Sequence, residues 1–212
     1  LKLLFISHLT ELKHTYKTIK SKGTSLLKEK SSKFIGVVQN CSSLKDVNEM
    51  LHHLKKEHQQ ASHFCYAYSL GTQIKQTRAN DDGEPSNSAG TPILGQINSF
   101  DLTNTLVVVI RYYGGVKLGV GGLVQAYKSA AKEAILNAEL IEIEIGDFYE
   151  LKFPYDKLVD LMNFLKRMKI NFVNNYIDID CSVKVYLQHS KSTLLLHELN
   201  KIQGIEILKI KP

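Results

Sequence analysis

Tryptophan is absent from this chain of 212 residues, and cysteine and proline are scarce, with 3 and 4 copies beside 13 glycines. So little proline, with no Gly-X-Y period, excludes collagen-like and Pro-rich linker classes. Cys41, Cys65 and Cys181 stand far apart and form no CxxC pair. An odd, scattered set argues against a disulfide framework and against a structural zinc site. Reduced thiols in a cytoplasmic protein are the expectation. No stretch approaches the roughly 18 apolar residues of a membrane span. The longest clean apolar run, Leu106 to Ile110, has the length of a buried strand.

What is present has globular proportions. Hydrophobic residues make up 43% and charged residues 23%, close to the average for packed domains. The length allows one large or two small domains, at about 100–200 residues each. The 27 Lys and Arg exceed the 21 Asp and Glu by 6. This excess is compatible with nucleic-acid or ribosome contact without demanding it. Residues 1–145 carry 17 basic and 13 acidic side chains and residues 146–212 carry 10 and 8, so neither part stands out as a polyanion binder.

Residues 1–13 read as an extension outside the first fold unit. Residues 33–40 read as a strand, and Ser42 or Ser43 can cap a helix running to about Gln60 with Val47, Met50, Leu51 and Leu54 on one face. His63–Leu70 reads as a second strand. Gly71 to Gly95 is polar and reads as a long irregular loop, a kind usually functional or disordered, with Pro92 starting a helix. Thr105–Tyr113 is a strand that enters a Gly-rich turn, and a helix over about Leu123–Asn137 presents Ala126, Ala130, Ala131 and Ala134 for close packing. Leu140–Ile145 reads as a half-buried strand. Beyond Gly146-Asp147 the order is strand 148–153, helix 155–168, strands 170–177 and 181–187, a helix capped by Ser190 and ended by Gly204, and strand 205–210. That βαββαβ order is the ferredoxin-like signature.

Two segments can carry chemistry. Asp81, Asp82 and Glu84 fall within four residues, and three carboxylates suit a hard cation. The EF-hand spacing is missing, however, and Asp/Gly turn chemistry explains the same residues. The second segment runs Arg111-Tyr-Tyr-Gly114-Gly115-Val-Lys117-Leu-Gly119-Val-Gly121-Gly122. A helix start offers free backbone N–H groups and a dipole that favours an anion, and Arg111 and Lys117 would add charge. Neither the Walker A spacing nor the dinucleotide fingerprint is met, Val124 standing where its last Gly belongs. Glycines that permit positive φ and close packing are the competing explanation. Cys65 beside His63 reads as a core thiol with a satisfied imidazole.

At these segments the chain resembles the IMPACT family, including its bacterial YigZ-type members. The resemblance is carried by Lys30-Ser-Ser-Lys-Phe-Ile35, Ala61-Ser-His-Phe-Cys-Tyr-Ala67, Asp81-Asp-Gly-Glu-Pro-Ser86, Ala89-Gly-Thr-Pro92, and Arg111 through Gly119 continuing from Gly121 to Tyr127. It covers about residues 14–145. Asn87-Ser88 and Gln125 depart from the family pattern, and Gln125 replaces an expected basic residue. The resemblance implies an α+β protein with a first domain, 14–145, like the second domain of ribosomal protein S-five, a βα sandwich. It implies a second domain, 146–212, like the ferredoxin-like C-terminal domain of elongation factor G. Eukaryotic members restrain the amino-acid-starvation kinase by binding its large activator, using an RWD domain that these residues do not include. That role is not carried over.

The expectation is a cytoplasmic binding protein without catalytic residues, metal ligands or cofactor. RNA, the ribosome or a translation factor would be its partner, with no membrane contact. Asp81, Asp82, Glu84, Arg111, Gly114, Gly115, Lys117, Gly119 and Gly121 are the candidate ligand-binding residues. The alternative is an enzyme acting on a small phosphate-bearing anion or nucleotide at the Gly-rich turn, with the carboxylates as metal ligands or base.

Overall fold

The computed structural model describes residues 14–72, 74–176 and 180–210. The expected extension 1–13 and Ile177, at the end of an expected strand, lie outside the described residues. The chain divides into two compact units, one spanning residues 16–143 and the other 144 onward together with residues 14 and 15.

The first unit contains, in chain order, β1 (Thr15–Ser21), β2 (Gly23–Glu29), β3 (Ser32–Asn40), α1 (Leu44–Glu57), β4 (His63–Leu70), β5 (Gln76–Asn80), α2 (Gly90–Ser99), β6 (Thr105–Tyr112), α3 (Gly119–Leu136) and β7 (Glu139–Glu144). Five strands form one antiparallel sheet in the order β2-β3-β6-β4-β5, and β1 pairs with β7 apart from it. The central strand β6 is apolar throughout because both of its faces are covered. Leu106, Val108 and Ile110 join the core under α1, while Val107 and Val109 join the core under α2 and α3. Alternation places Arg111 on the α2/α3 side. The alanines of α3 allow that helix to approach the sheet closely. Ser25 Oγ donates to the Ala130 carbonyl at 2.7 Å, and a Cβ on Gly36 would run into the same carbonyl.

Ser43 caps α1 as its sequence predicts. Its hydroxyl accepts from the Asp46 backbone N–H, and Asp46 accepts in return from the Ser43 N–H, a reciprocal capping box. The Ser42 backbone N–H and the two serine hydroxyls hold the Asp46 carboxyl below its ordinary value.

Three expectations for this unit change. First, β1 and β2 precede the first strand that the pattern suggests. Second, the loop expected over 71–95 contains β5, while the helix expected from Pro92 is α2, which begins two residues earlier at Gly90; β5 is polar because it is an edge strand with four of its five residues exposed. Third, β7 forms where expected but is largely exposed, so its Leu/Glu alternation does not mark a buried face.

The second unit contains β8 (Gly146–Pro154), a single 3₁₀ turn at Tyr155–Lys157, α4 (Leu158–Arg167), β9 (Phe172–Tyr176), β10 (Asp180–Gln188), α5 (His189–Leu199) and β11 (Glu206–Ile210). The sheet order is β11-β8-β10-β9 with every neighbour antiparallel. This is the ferredoxin-like arrangement, and the chain as a whole is α+β. Leu151, Leu161, Leu165, Val185, Leu187 and Leu199 lie at the centre of its core. Ser190 lies inside α5 rather than capping it, Gln188 taking the cap position without a side-chain bond.

Candidate functional site

Strand register brings both chemical segments to one end of the five-stranded sheet. Ser32 and Glu29 close the β2–β3 hairpin there, Arg111 of β6 lies between Phe34 and His63, and the loop 81–89 leaves β5 beside Tyr66. The hairpin turn is made by Lys30 and Ser31, both at positive φ, the signature of a tight type I′ connection.

Much of the acidic loop is exposed, yet its carboxylates turn to the protein. Asp81 Oδ1 accepts from the backbone N–H groups of Ala89 and Gly90 at 2.9 and 2.8 Å, and its Oδ2 accepts from Asn87 N–H at 2.9 Å. Its carboxylate thus does for the start of α2 what no residue at the cap position does. Asp82 Oδ2 accepts from the Phe64 backbone N–H at 2.6 Å, fixing the loop to β4. The side chain of Glu84 is buried, and its Oε1 accepts from Arg111 Nη1 at 2.6 Å and from the Tyr127 hydroxyl at 2.7 Å.

Arg111 is buried with it. Its guanidinium lies over the rings of Phe34 and Tyr113 at 5.4 and 5.1 Å. Nη2 reaches Ser32 Oγ at 3.4 Å, while Nε has no hydrogen-bond partner among the described residues. The side chains of Arg111 and Glu84 are 5% and 4% exposed, so this pair is internal architecture, in which each charge is compensated mainly by the other.

Around this pair, His63 Nδ1 bonds the Asp82 carbonyl at 2.8 Å and Nε2 lies 3.9 Å from Glu84 Oε1. Cys65 Sγ–H donates to the Asp81 carbonyl at 3.0 Å. Burial pushes the Cys65 thiol up to about 12 and also raises the Tyr127 phenol, so neither is a nucleophile near neutral pH. Among the described residues, no group of three His, Cys, Asp or Glu side chains is placed to hold a metal ion.

The Gly-rich segment faces outward. Residues 113–118 form no regular element, and Tyr113, Val116, Lys117 and Val120 are exposed. Gly114 packs on the hairpin turn, where a Cβ would collide with the Ser31 carbonyl. Its N–H donates to Ser32 Oγ at 3.2 Å. α3 starts at Gly119, four residues before the expected Leu123, so Gly119 and Gly121 belong to its first turn. Leu118 holds the cap position with helical φ and ψ and makes no side-chain cap bond, and the first turn has no acidic residue. Among the described residues no side chain caps this start, which leaves its N–H groups as donors in an exposed, glycine-lined setting. Lys117, just before this start, is exposed, as are Lys30 and Lys33 of the hairpin on which Gly114 packs.

The structure thus gathers all nine candidates at one end of the sheet, but in two layers. Asp81, Asp82, Glu84 and Arg111 form the inner layer, and Gly114, Gly115, Lys117, Gly119 and Gly121 form the outer one. Sequence reasoning missed Ser32 and the role of Tyr127. The one available signal was that a buried glutamate needs donors, and a tyrosine set among the small residues of a helix supplies one.

A family model described as the Impact N-terminal domain matches residues 30–135. The chain is 30% identical over 179 residues to IMPACT family member YvyE of Bacillus subtilis, covering 84% of this chain and 82% of that one. It is 29% identical over 164 residues to IMPACT family member YigZ of Escherichia coli, covering 76% and 80%. A crystal structure described as that of a hypothetical protein superposes with a TM-score of 0.74 at 25% identity, covering 93% of this chain and 98% of that one.

Proposed function

This chain belongs to the IMPACT family, and from that premise we propose that it is a cytoplasmic, translation-associated binding protein whose outer layer holds RNA or a ribosomal partner. One observation carries the reading: α3 opens uncapped and exposed two residues after Lys117, and the segment leading into it packs through Gly114 on the hairpin turn that bears Lys30. Backbone N–H groups at a helix start, with cations around them, are matched to phosphate oxygens. The excess of 6 basic residues over the whole chain has the same sign. The resemblance of both domains to translation-protein folds supports the reading by analogy.

Co-sedimentation with ribosomes and with RNA over a salt series tests it. Phosphate contacts release counterions, so binding falls steeply with salt. The double variant Lys30→Ala/Lys117→Ala weakens the complex and flattens the salt slope by about one unit for each phosphate that is no longer neutralised. A variant that sediments like the wild type, or no complex at low salt, overturns the proposal.

The same donors support a second reading, a small phosphate-bearing ligand at the Gly-rich turn. Asp81, Asp82 and Glu84 are engaged with the protein itself, which supports the binding half of that reading and not its acid–base half. A thermal-shift panel of nucleotides separates it from the first, since a ligand at about 100 Kd stabilises by about 2.7 kcal/mol.

A further inference from the structure

The five-stranded sheet has two edges, and they are managed differently. β5 is short and polar, and Gly90 of α2 lies against its last residue, Asn80. β2 at the other edge is seven residues long with neither proline nor bulge. The hairpin fixes which of its backbone groups face outward. In a two-residue hairpin the residues flanking the turn, here Glu29 and Ser32, form a hydrogen-bonded pair. Alternation from that pair turns the N–H and C=O groups of Lys28, Leu26 and Thr24 away from β3. The Thr24 carbonyl bears this out, because it accepts from Asn137 Nδ2 at 2.9 Å instead of from the ladder. Among the described residues, the outward groups of Leu26 and Lys28 meet no protein donor or acceptor.

Beside this edge, on the face that carries α1, lies an open groove of about 450 Å³. Lys22, Leu26, Ile35, Leu54 and His58 are among the residues that line it. Leu26 is 59% exposed, an apolar side chain in contact with water on a bare edge. Glu57 also lines it and lies 3.7 Å from His53 Nε2.

We propose that the β2 edge is a docking site for an extended acidic peptide segment of a partner protein, which adds as a sixth strand and lays an apolar side chain in the groove. The lysines choose the occupant. Lys22, Lys28, Lys30 and Lys33 lie along or beside the edge and outnumber Glu29 of β2 and Glu57 of the groove, and edge lysines oppose pairing with a like-charged strand. They therefore disfavour a second copy of β2 and favour a strand that carries carboxylates. Main-chain bonds would provide affinity and the groove selectivity, as in β-augmentation generally. This surface is separate from the Gly-rich turn, and the proposal does not rest on the phosphate reading.

Fluorescence anisotropy of a labelled six-residue peptide of alternating Glu and Val, titrated with the full chain, tests the inference. Saturable binding is expected. The same peptide N-methylated at alternate amides, on the edge that meets β2, binds at least about tenfold more weakly, since the bonds at issue are main-chain bonds. Leu26→Pro removes an outward N–H together with the leucine side chain that lines the groove, is tolerated at an edge, and weakens binding by about three- to tenfold more than Leu26→Ala, which removes the side chain alone. Should that variant fail to fold, the N-methylated peptide on wild-type protein still separates main-chain pairing from charge. Equal binding of methylated and unmethylated peptides reduces the effect to charge alone and overturns the proposal. So does displacement of the peptide by an oligouridine strand at lower concentration, or no binding at all.

Discussion

The acidic loop and the Gly-rich turn lie at the same end of one sheet, yet they use their polar groups in opposite ways. Every carboxylate of the loop accepts from the protein: Asp81 from the start of α2, Asp82 from β4, Glu84 from Arg111 and Tyr127. The turn leaves its helix start without a side-chain cap among the described residues and its lysine exposed. The difference teaches that residue type alone does not make a ligand site. What matters is whether hydrogen-bonding capacity remains after the fold has been satisfied. The loop builds the platform, and the turn is what the platform presents.

Breaking the inner layer tests this most severely. Glu84→Ala leaves the buried Arg111 charge uncompensated and should cost about 3–5 kcal/mol in urea unfolding. A loss below about 1 kcal/mol would mean that Arg111 reaches water and that the loop opens. Glycines sharpen the contrast next. Gly114→Ala forces a Cβ into the Ser31 carbonyl and should cost about 1–3 kcal/mol. Gly121→Ala meets open space in a helix and should gain up to about 1 kcal/mol. Matched urea midpoints for the two variants would erase the distinction between them. Asp81→Asn weakens the anchoring of α2, with an expected loss of about 1 kcal/mol.

The smallest effect is a pH dependence that calibrates what a solvent-exposed capping carboxylate does. Asp46 has its carboxyl lowered by bonds from Ser42 and Ser43. A lowered folded-state pKa means that the stabilisation is present above the ordinary value of 3.8 and is lost as pH falls through the lowered one. The stability gap between wild type and Asp46→Asn should therefore persist at neutral pH and close in acid. A gap that widens below pH 3.8 contradicts the capping-box account.

Where one signal dominates, the fold is legible in the sequence. Ser43 with Asp46 announces α1, Leu106–Ile110 announces a strand covered on both faces, and the ferredoxin-like order follows from periodicity. Edges are harder to read. β5 has no apolar alternation because neither of its faces is buried, and β7 alternates although it is exposed. α3 starts earlier than its pattern suggests because its first turn is glycine-rich, and glycine there signals a loop by propensity. For the site, both segments are legible in the sequence but their layering is not. The inward turn of Glu84 depends on Tyr127, 43 residues away, and on Arg111 from another strand, and no local pattern encodes that meeting.

The most direct test is backbone amide chemical-shift mapping of the full chain titrated with a short single-stranded RNA. The account predicts that the amides of Gly115, Lys117, Gly119 and Gly121 move in a salt-sensitive way. The amides of Asn87, Ala89 and Gly90, already bound by Asp81, should stay still. Shifts confined to residues 81–90, with the Gly-rich turn unmoved, would contradict it.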